Sequence, residues 1–164
     1  MHRVHNDDRG LSLVELIVAF TILSILAALI LPSAQMTARR TKEIELRREL
    51  RIIRTALDNY KRAYDKAVED KKILVSMNKS GYPKDLQELV DGTDFGGAVS
   101  TKLKFLRKIP ADPFNPPKPG DEPKWGLRSY KDDPDSKIWG GDDVYDVHSL
   151  SEETAIDGTK YKDW

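Results

Sequence analysis

One carboxylate, Glu15, stands inside an otherwise apolar run, and four residues before it Leu11 follows a glycine, Gly10. An ionisable group in hydrocarbon costs about 2.5 to 3.5 kcal/mol at the centre of an inserted helix and less near an end, so Glu15 calls for a partner. A cut after Gly10 would free the amino group of Leu11, a cation able to mate with that carboxylate in its own chain or in a neighbouring one. This chemistry is pairing, not catalysis. His2 and His5 lie near the start, His148 is the third histidine and there is no cysteine, so neither a histidine-based triad, a His-rich zinc site nor a thiolate site can be built. The sequence has no phosphate-cradling glycine loop and no G-x-S-x-G elbow. Asp132, Asp133, Asp135, Asp142 and Asp143 form an acidic group, but they stand where turn chemistry expects aspartate anyway.

The element that must position Glu15 is the run of residues 11–31, LSLVELIVAFTILSILAALIL, whose polar members are Ser12, Glu15, Thr21 and Ser24. As a helix rising about 1.5 Å per residue it reaches roughly 32 Å, the thickness of a bilayer's hydrocarbon core. A secretory signal would share the basic start, Arg3 and Arg9, but would have a shorter apolar stretch and a small-residue cleavage site, which Pro32, Ser33 and Ala34 do not supply. A plain single-span anchor fits the hydropathy and leaves Glu15 unexplained. The other residues are strongly polar, and 27 basic residues cancel 27 acidic ones, so no global field draws the chain to nucleic acid. A chain of 164 residues suits one small domain with a helical extension.

Beyond Pro32 the helical period persists. Leu46, Leu50, Ile53, Leu57, Tyr60 and Tyr64 make one apolar stripe, and no glycine or proline interrupts residues 33–80, so a helix is expected to about residue 70. Its second half should pack on a C-terminal domain. Residues 85–90 and 101–107 read as short helical turns. Residues 109–124 carry six prolines and must be a loop. Short strands are expected at 126–130, 137–139 and 144–149, separated by Asp132-Asp133-Pro134-Asp135 and Gly140-Gly141-Asp142. The fold class that follows is α+β: a long N-terminal helix, transmembrane in its first half, packed on a small antiparallel β-sheet.

The segment Arg9-Gly10-Leu11-Ser12-Leu13-Val14-Glu15-Leu16 resembles the processing motif of type IV prepilins and type II secretion pseudopilins, with Pro32 at the position where that family carries a helix-perturbing proline. The later chain is similar to the major-pseudopilin branch in Leu57-Asp58-Asn59-Tyr60, Gly81-Tyr82-Pro83, the loop from Leu106 through Ile109-Pro110-Ala111-Asp112-Pro113, the strand Asp143-Val144-Tyr145-Asp146-Val147-His148-Ser149, and the terminal Asp163-Trp164. The resemblance implies a leader at 1–10, a filament-core membrane helix at 11–32, an amphipathic helix at 33–75 and a periplasmic head at 76–164. It implies that a prepilin peptidase cuts after Gly10 and methylates Leu11, and that Glu15 and Pro32 serve assembly. The subunit would then sit in the inner membrane as a single-pass protein until it joins a homo-oligomeric filament with minor pseudopilins on an inner-membrane assembly platform. That filament would help move proteins across the outer membrane. A surface type IV pilus for adhesion, motility or DNA uptake is the alternative, and an anchored periplasmic enzyme or binding module is a rival without a catalytic constellation.

The family's C-terminal loop holds a structural calcium, which would fall here to Asp157 first, with Ser149, Ser151 and Glu153. Against that, Ala155-Ile156-Asp157-Gly158-Thr159-Lys160-Tyr161 replaces the family's usual acidic stretch. Arg39, Arg40, Lys42, Arg47 and Arg48 would place the C-terminal part in the cytoplasm by the positive-inside rule. The motif demands the opposite topology, and these arginines alternate with Glu43, Glu45 and Glu49 on a helix expected to pack against other subunits.

Overall fold

The structure is a computed structural model that describes residues 12–74, 80–96, 101–134, 136 and 138–164, with the side chains of 29–34 outside that description. The chain divides into two units, Met1–Arg40 and Thr41–Trp164. Helix α1, Leu13–Glu69, contributes to both. It ends at Glu69, short of residue 75, because Lys71 takes a left-handed backbone, φ 56°, that no helix continues through. The remaining elements are α2 (Gln87–Asp91), β1 (Gly126–Arg128), β2 (Asp146–His148) and a 3₁₀ turn at Tyr161–Asp163.

The second unit is built on the α1 stripe. Leu46, Leu50, Ile53, Leu57 and Tyr60 are all buried, with Tyr64 partly so, and they share one core with Leu89, Phe95, Trp125, Val144, Val147 and Tyr161. Tyr60 packs edge-on to Phe95 at 5.1 Å, and its hydroxyl donates to Glu88 Oε1 at 2.8 Å. Burial pushes that hydroxyl's pKa up. Glu88 also accepts the Lys84 N–H and the Thr93 hydroxyl, so one carboxylate fastens α2 to α1. Gly81 opens the turn before Pro83 with φ 86°, and a Cβ there would stand 2.7 Å from the Tyr64 ring. Position 81 therefore admits only glycine without a shift. Pro83, two residues on, is buried and ties down the chain that leads to residues 146–148, its carbonyl accepting the Val144 N–H at 2.8 Å.

Strands β1 and β2 pair antiparallel, Gly126 opposite His148, Leu127 opposite Val147 and Arg128 opposite Asp146. Arg128 meets Asp146 across the ladder at 3.5 Å. The fold is α+β, with a long N-terminal helix and a small two-stranded antiparallel sheet.

Two local expectations fail. Residues 138–139 form no strand: the Ile138 N–H goes to Ser136 Oγ, Gly140 N–H goes to Asp132 Oδ2, and the Trp139 indole donates to the Asp143 carbonyl. Side chains there take the backbone donors that a ladder would need. Residues 101–107 are not a helical turn either. Leu103 exchanges both backbone bonds with Thr93 at 3.0 Å, and the N–H groups of Phe105 and Leu106 converge on the Leu89 carbonyl. The proline-rich segment is a loop as expected, pinned where Asp112, fully buried, accepts the Phe114 N–H and the Ser149 hydroxyl, the latter at 2.6 Å. Trp125 closes it through an indole bond to the Pro110 carbonyl at 2.9 Å.

The His148 ring lies flat against Gly126, so a Cβ at 126 would collide with it. Gly126→Ala should cost about 1 to 3 kcal/mol of unfolding free energy through overpacking, and Leu50→Ala about 2 to 5 kcal/mol through the cavity it leaves. Denaturant unfolding of the full chain in detergent checks both. Burial, then the nearby Arg128 guanidinium, holds the His148 imidazole below its ordinary 6.5. The folded state then binds this proton less readily than the unfolded chain, so stability is full above 6.5 and declines as pH falls from there toward the depressed folded value. Unfolding midpoints measured stepwise in pH should show that decline, and His148→Gln should flatten it; a rise on acidification would contradict the burial cause.

Candidate functional site

Two regions carry the residues singled out by the sequence. The first is the start of α1. Ser12 caps the helix, its Oγ accepting the Glu15 N–H at 3.2 Å and its carbonyl accepting the Leu16 N–H at 3.1 Å. The hydroxyls of Thr21 and Ser24 turn back to the carbonyls of Ile17 and Phe20, each at 2.8 Å. Both are thus served by the helix itself and can face an apolar surrounding. The Glu15 carboxylate has no hydrogen-bond or ion-pair partner among the described residues. Around it every described side chain from 12 to 28 is exposed, Leu13 at 75% and Phe20 at 61%. The helix is apolar on all sides, which is not the pattern of a helix laid on a soluble core.

Ser12-Leu13-Val14-Glu15 is also a capping-box sequence, a signal that accounts for a glutamate at this spacing without any assembly role. Only half of the box forms, the serine oxygen on the Glu15 N–H. Gly10 and Leu11 lie outside the described residues. Pro32 lies within α1, with its side chain outside that description. Among the described residues no helix is long and apolar enough to cross a membrane. The described side chains of the apolar run cover 12–28, whereas a span needs about 20 residues; the sequence run, 11–31, extends past them at both ends.

The second region is the C-terminal segment against residues 43–54 of α1. Glu43 Oε1 accepts the Ile156 N–H at 2.8 Å and the Tyr161 hydroxyl at 2.9 Å. Tyr161 is fully buried, its ring stacked on Phe114 at 3.9 Å and edge-on to Trp164 at 5.1 Å. Arg47 sets its guanidinium 3.9 Å from the Trp164 ring centroid and meets Asp157 Oδ2 at 3.4 Å. Arg54 holds Asp146 through Nε at 2.7 Å and donates from Nη2 to the carbonyls of Val147 and Trp164, at 3.0 and 2.8 Å. Sequence reasoning had turned Glu43 and Arg47 toward other subunits; they face the chain's own tail. Their separation of four residues is a visible signal, but one that ordinarily reads as a pair along the helix.

Of the four residues expected to hold calcium, Ser149, Ser151 and Asp157 have side-chain oxygens engaged in bonds of the fold. Ser149 Oγ donates to Asp112 and accepts the Ser151 N–H, and Ser151 Oγ accepts the Glu153 N–H. Asp157 Oδ1 accepts both the hydroxyl and the N–H of Thr159, bonds that hold its pKa below the usual carboxylate range, while Oδ2 faces Arg47. Among the described residues no three His, Cys, Asp or Glu side chains gather as a metal site. Calcium asks for six to eight hard oxygens, and this donor set, with three of its four side chains engaged in the fold and a guanidinium beside Asp157, does not fit it.

A family profile described as the prokaryotic N-terminal methylation motif matches residues 5–31, the stretch that contains Gly10, Leu11 and Glu15. Over 148 residues the chain is 29% identical to the type II secretion system core protein G of Pseudomonas aeruginosa, an alignment that covers 86% of this chain and 94% of the relative. No solved structure matches the chain. The methylation motif at the N-terminal end and the resemblance to core protein G along most of the chain make this chain similar to the pseudopilins, and its long helix with a small antiparallel sheet is the fold that such a similarity implies.

Proposed function

We propose that this chain is a structural subunit of a type II secretion pseudopilus, cut after Gly10, methylated on Leu11 and assembled through the apolar start of α1. The observation that carries the reading is the helix surface of residues 12–28, apolar and exposed all round with its hydroxyls satisfied and its one carboxylate unpaired among the described residues. Such a surface needs an apolar surrounding, first lipid and then the equivalent helices of other subunits. Before assembly the subunit is a single-pass inner-membrane protein with its head in the periplasm. Once subunits leave the bilayer, each Glu15 takes the freed amino group of a neighbouring Leu11, and the cost of burying either charge alone makes that pairing a register mark. The similarity to core protein G favours a secretion filament, joined by minor pseudopilins on an assembly platform. The work is mechanical.

Intact-mass and N-terminal analysis of protein taken from its native membranes should find a chain that begins with methylated Leu11. An uncut chain, or one cut near Ala34, would sink the proposal. Glu15→Ala should leave the head's melting temperature unchanged and abolish incorporation into filaments, read by shearing and pelleting; filaments formed at the normal level would remove Glu15 from assembly.

A further inference from the structure

We infer that the C-terminal segment, residues 149–164, is closed onto α1 by Glu43, Arg47 and Arg54 in place of a bound divalent cation, so that its order is independent of calcium. The inference does not rest on the assembly proposal, since it concerns the second unit alone. An ion that staples a loop must draw together oxygens from separate parts of it. Here helix side chains perform that task. Glu43 gathers an N–H and a hydroxyl five residues apart in the tail, from Ile156 and Tyr161. Arg47 reaches Asp157 with its charge and Trp164 with its plane, and Arg54 ties the Trp164 carbonyl to β2. The tail also closes on itself: Ala155 N–H donates to the Thr159 carbonyl at 2.7 Å, and the Trp164 indole donates to Thr159 Oγ1 at 2.7 Å. A divalent ion on Asp157 Oδ2 would lie beside the Arg47 cation, and one on Oδ1 would compete with the two Thr159 bonds, so each oxygen carries an effect that opposes binding.

The test uses the full chain in detergent micelles, with trypsin cleavage after Lys160 followed by mass, and cleavage after the exposed Lys108, just before the proline-rich loop, followed in the same digest. Melting temperature and the Lys160 rate of the unaltered protein should be the same in calcium chloride as in EDTA, and calorimetric titration with calcium should show no saturable binding. Glu43→Ala removes the acceptor of two tail bonds and should raise the Lys160 rate about tenfold or more, whether or not calcium is present, with the Lys108 rate unchanged. Asp157→Asn, which keeps an oxygen for Thr159 and loses only an exposed ion pair, should change the rate less than twofold. Protection that needs calcium and vanishes in EDTA or in Asp157→Asn would overturn the inference. So would an equal rise at Lys108 and Lys160 in Glu43→Ala, which would make Glu43 a support of the whole unit rather than of the tail.

Discussion

Everything ordered in the second unit depends on one face of α1. A two-stranded sheet of three residues per strand cannot stand alone in water, and a five-residue helix is far below the length at which helices persist by themselves. Leu46, Leu50, Ile53, Leu57 and Tyr60 supply the apolar wall that both lack. Val147 of β2, Leu89 of α2 and Tyr161 of the terminal turn are each fully buried in the core that this wall organises. Without the stripe these pieces would have nothing to bury against, and the ordering entropy of so much loop would go uncompensated.

Polar positions beside that stripe then decide which loops are held. Glu43, Arg47 and Arg54 are spaced four and seven residues apart, which keeps them on one side of the helix, and all three bond residues more than ninety positions away in sequence. Loops longer than a dozen residues must satisfy their backbone groups somewhere. In this head they do so through aspartates as often as through strands. Asp112 closes the proline-rich loop, Asp132 takes the N–H groups of Ser129 and Gly140, and Asp143 takes that of Tyr130. The backbone bonds at Asp132 hold its pKa below the ordinary carboxylate value, the mark of an anion used as a structural acceptor. Within the acidic group, Asp132 and Asp143 thus serve as acceptors of turn backbone.

Features with a short repeat were legible and features made by distant partners were not. The 3.6-residue stripe, the helix end near 70, the α2 turn ended by Gly92 and the cores of two strands all follow from local pattern. The proline loop was legible because proline removes donors wherever it stands. Residues 101–107 misled because their alternation of lysine with apolar residues suits either a turn or an extended strip, and the pairing of Leu103 with Thr93 settles the matter from outside the segment. Asp157 is a comparable case. The family resemblance implies a cation ligand there, but its partners are Thr159, two residues on, and Arg47, 110 residues away, and no short window of sequence contains the second. Glu15 was legible as an anomaly, while the capping role of Ser12 beside it passed unnoticed because both readings use the same glutamate.

The basic cluster after the apolar run shows how a compositional signal acquires a cause. Counted as charges near a membrane end, Arg47 and its neighbours argue for a cytoplasmic C-terminal part. Placed in the fold, Arg47 is needed where it is because Trp164 and Asp157 lie opposite it, and Arg54 because Asp146 and two carbonyls converge there. A lysine would not serve as well at either place, since one site uses the guanidinium plane against a ring and the other uses three of its donors in different directions. Selection for those contacts puts basic residues on this stretch whatever the topology. A positive-inside count that includes Arg47 therefore measures a demand of the head together with any orientation signal, and that one charge drops out of the argument against the orientation that the N-terminal motif implies.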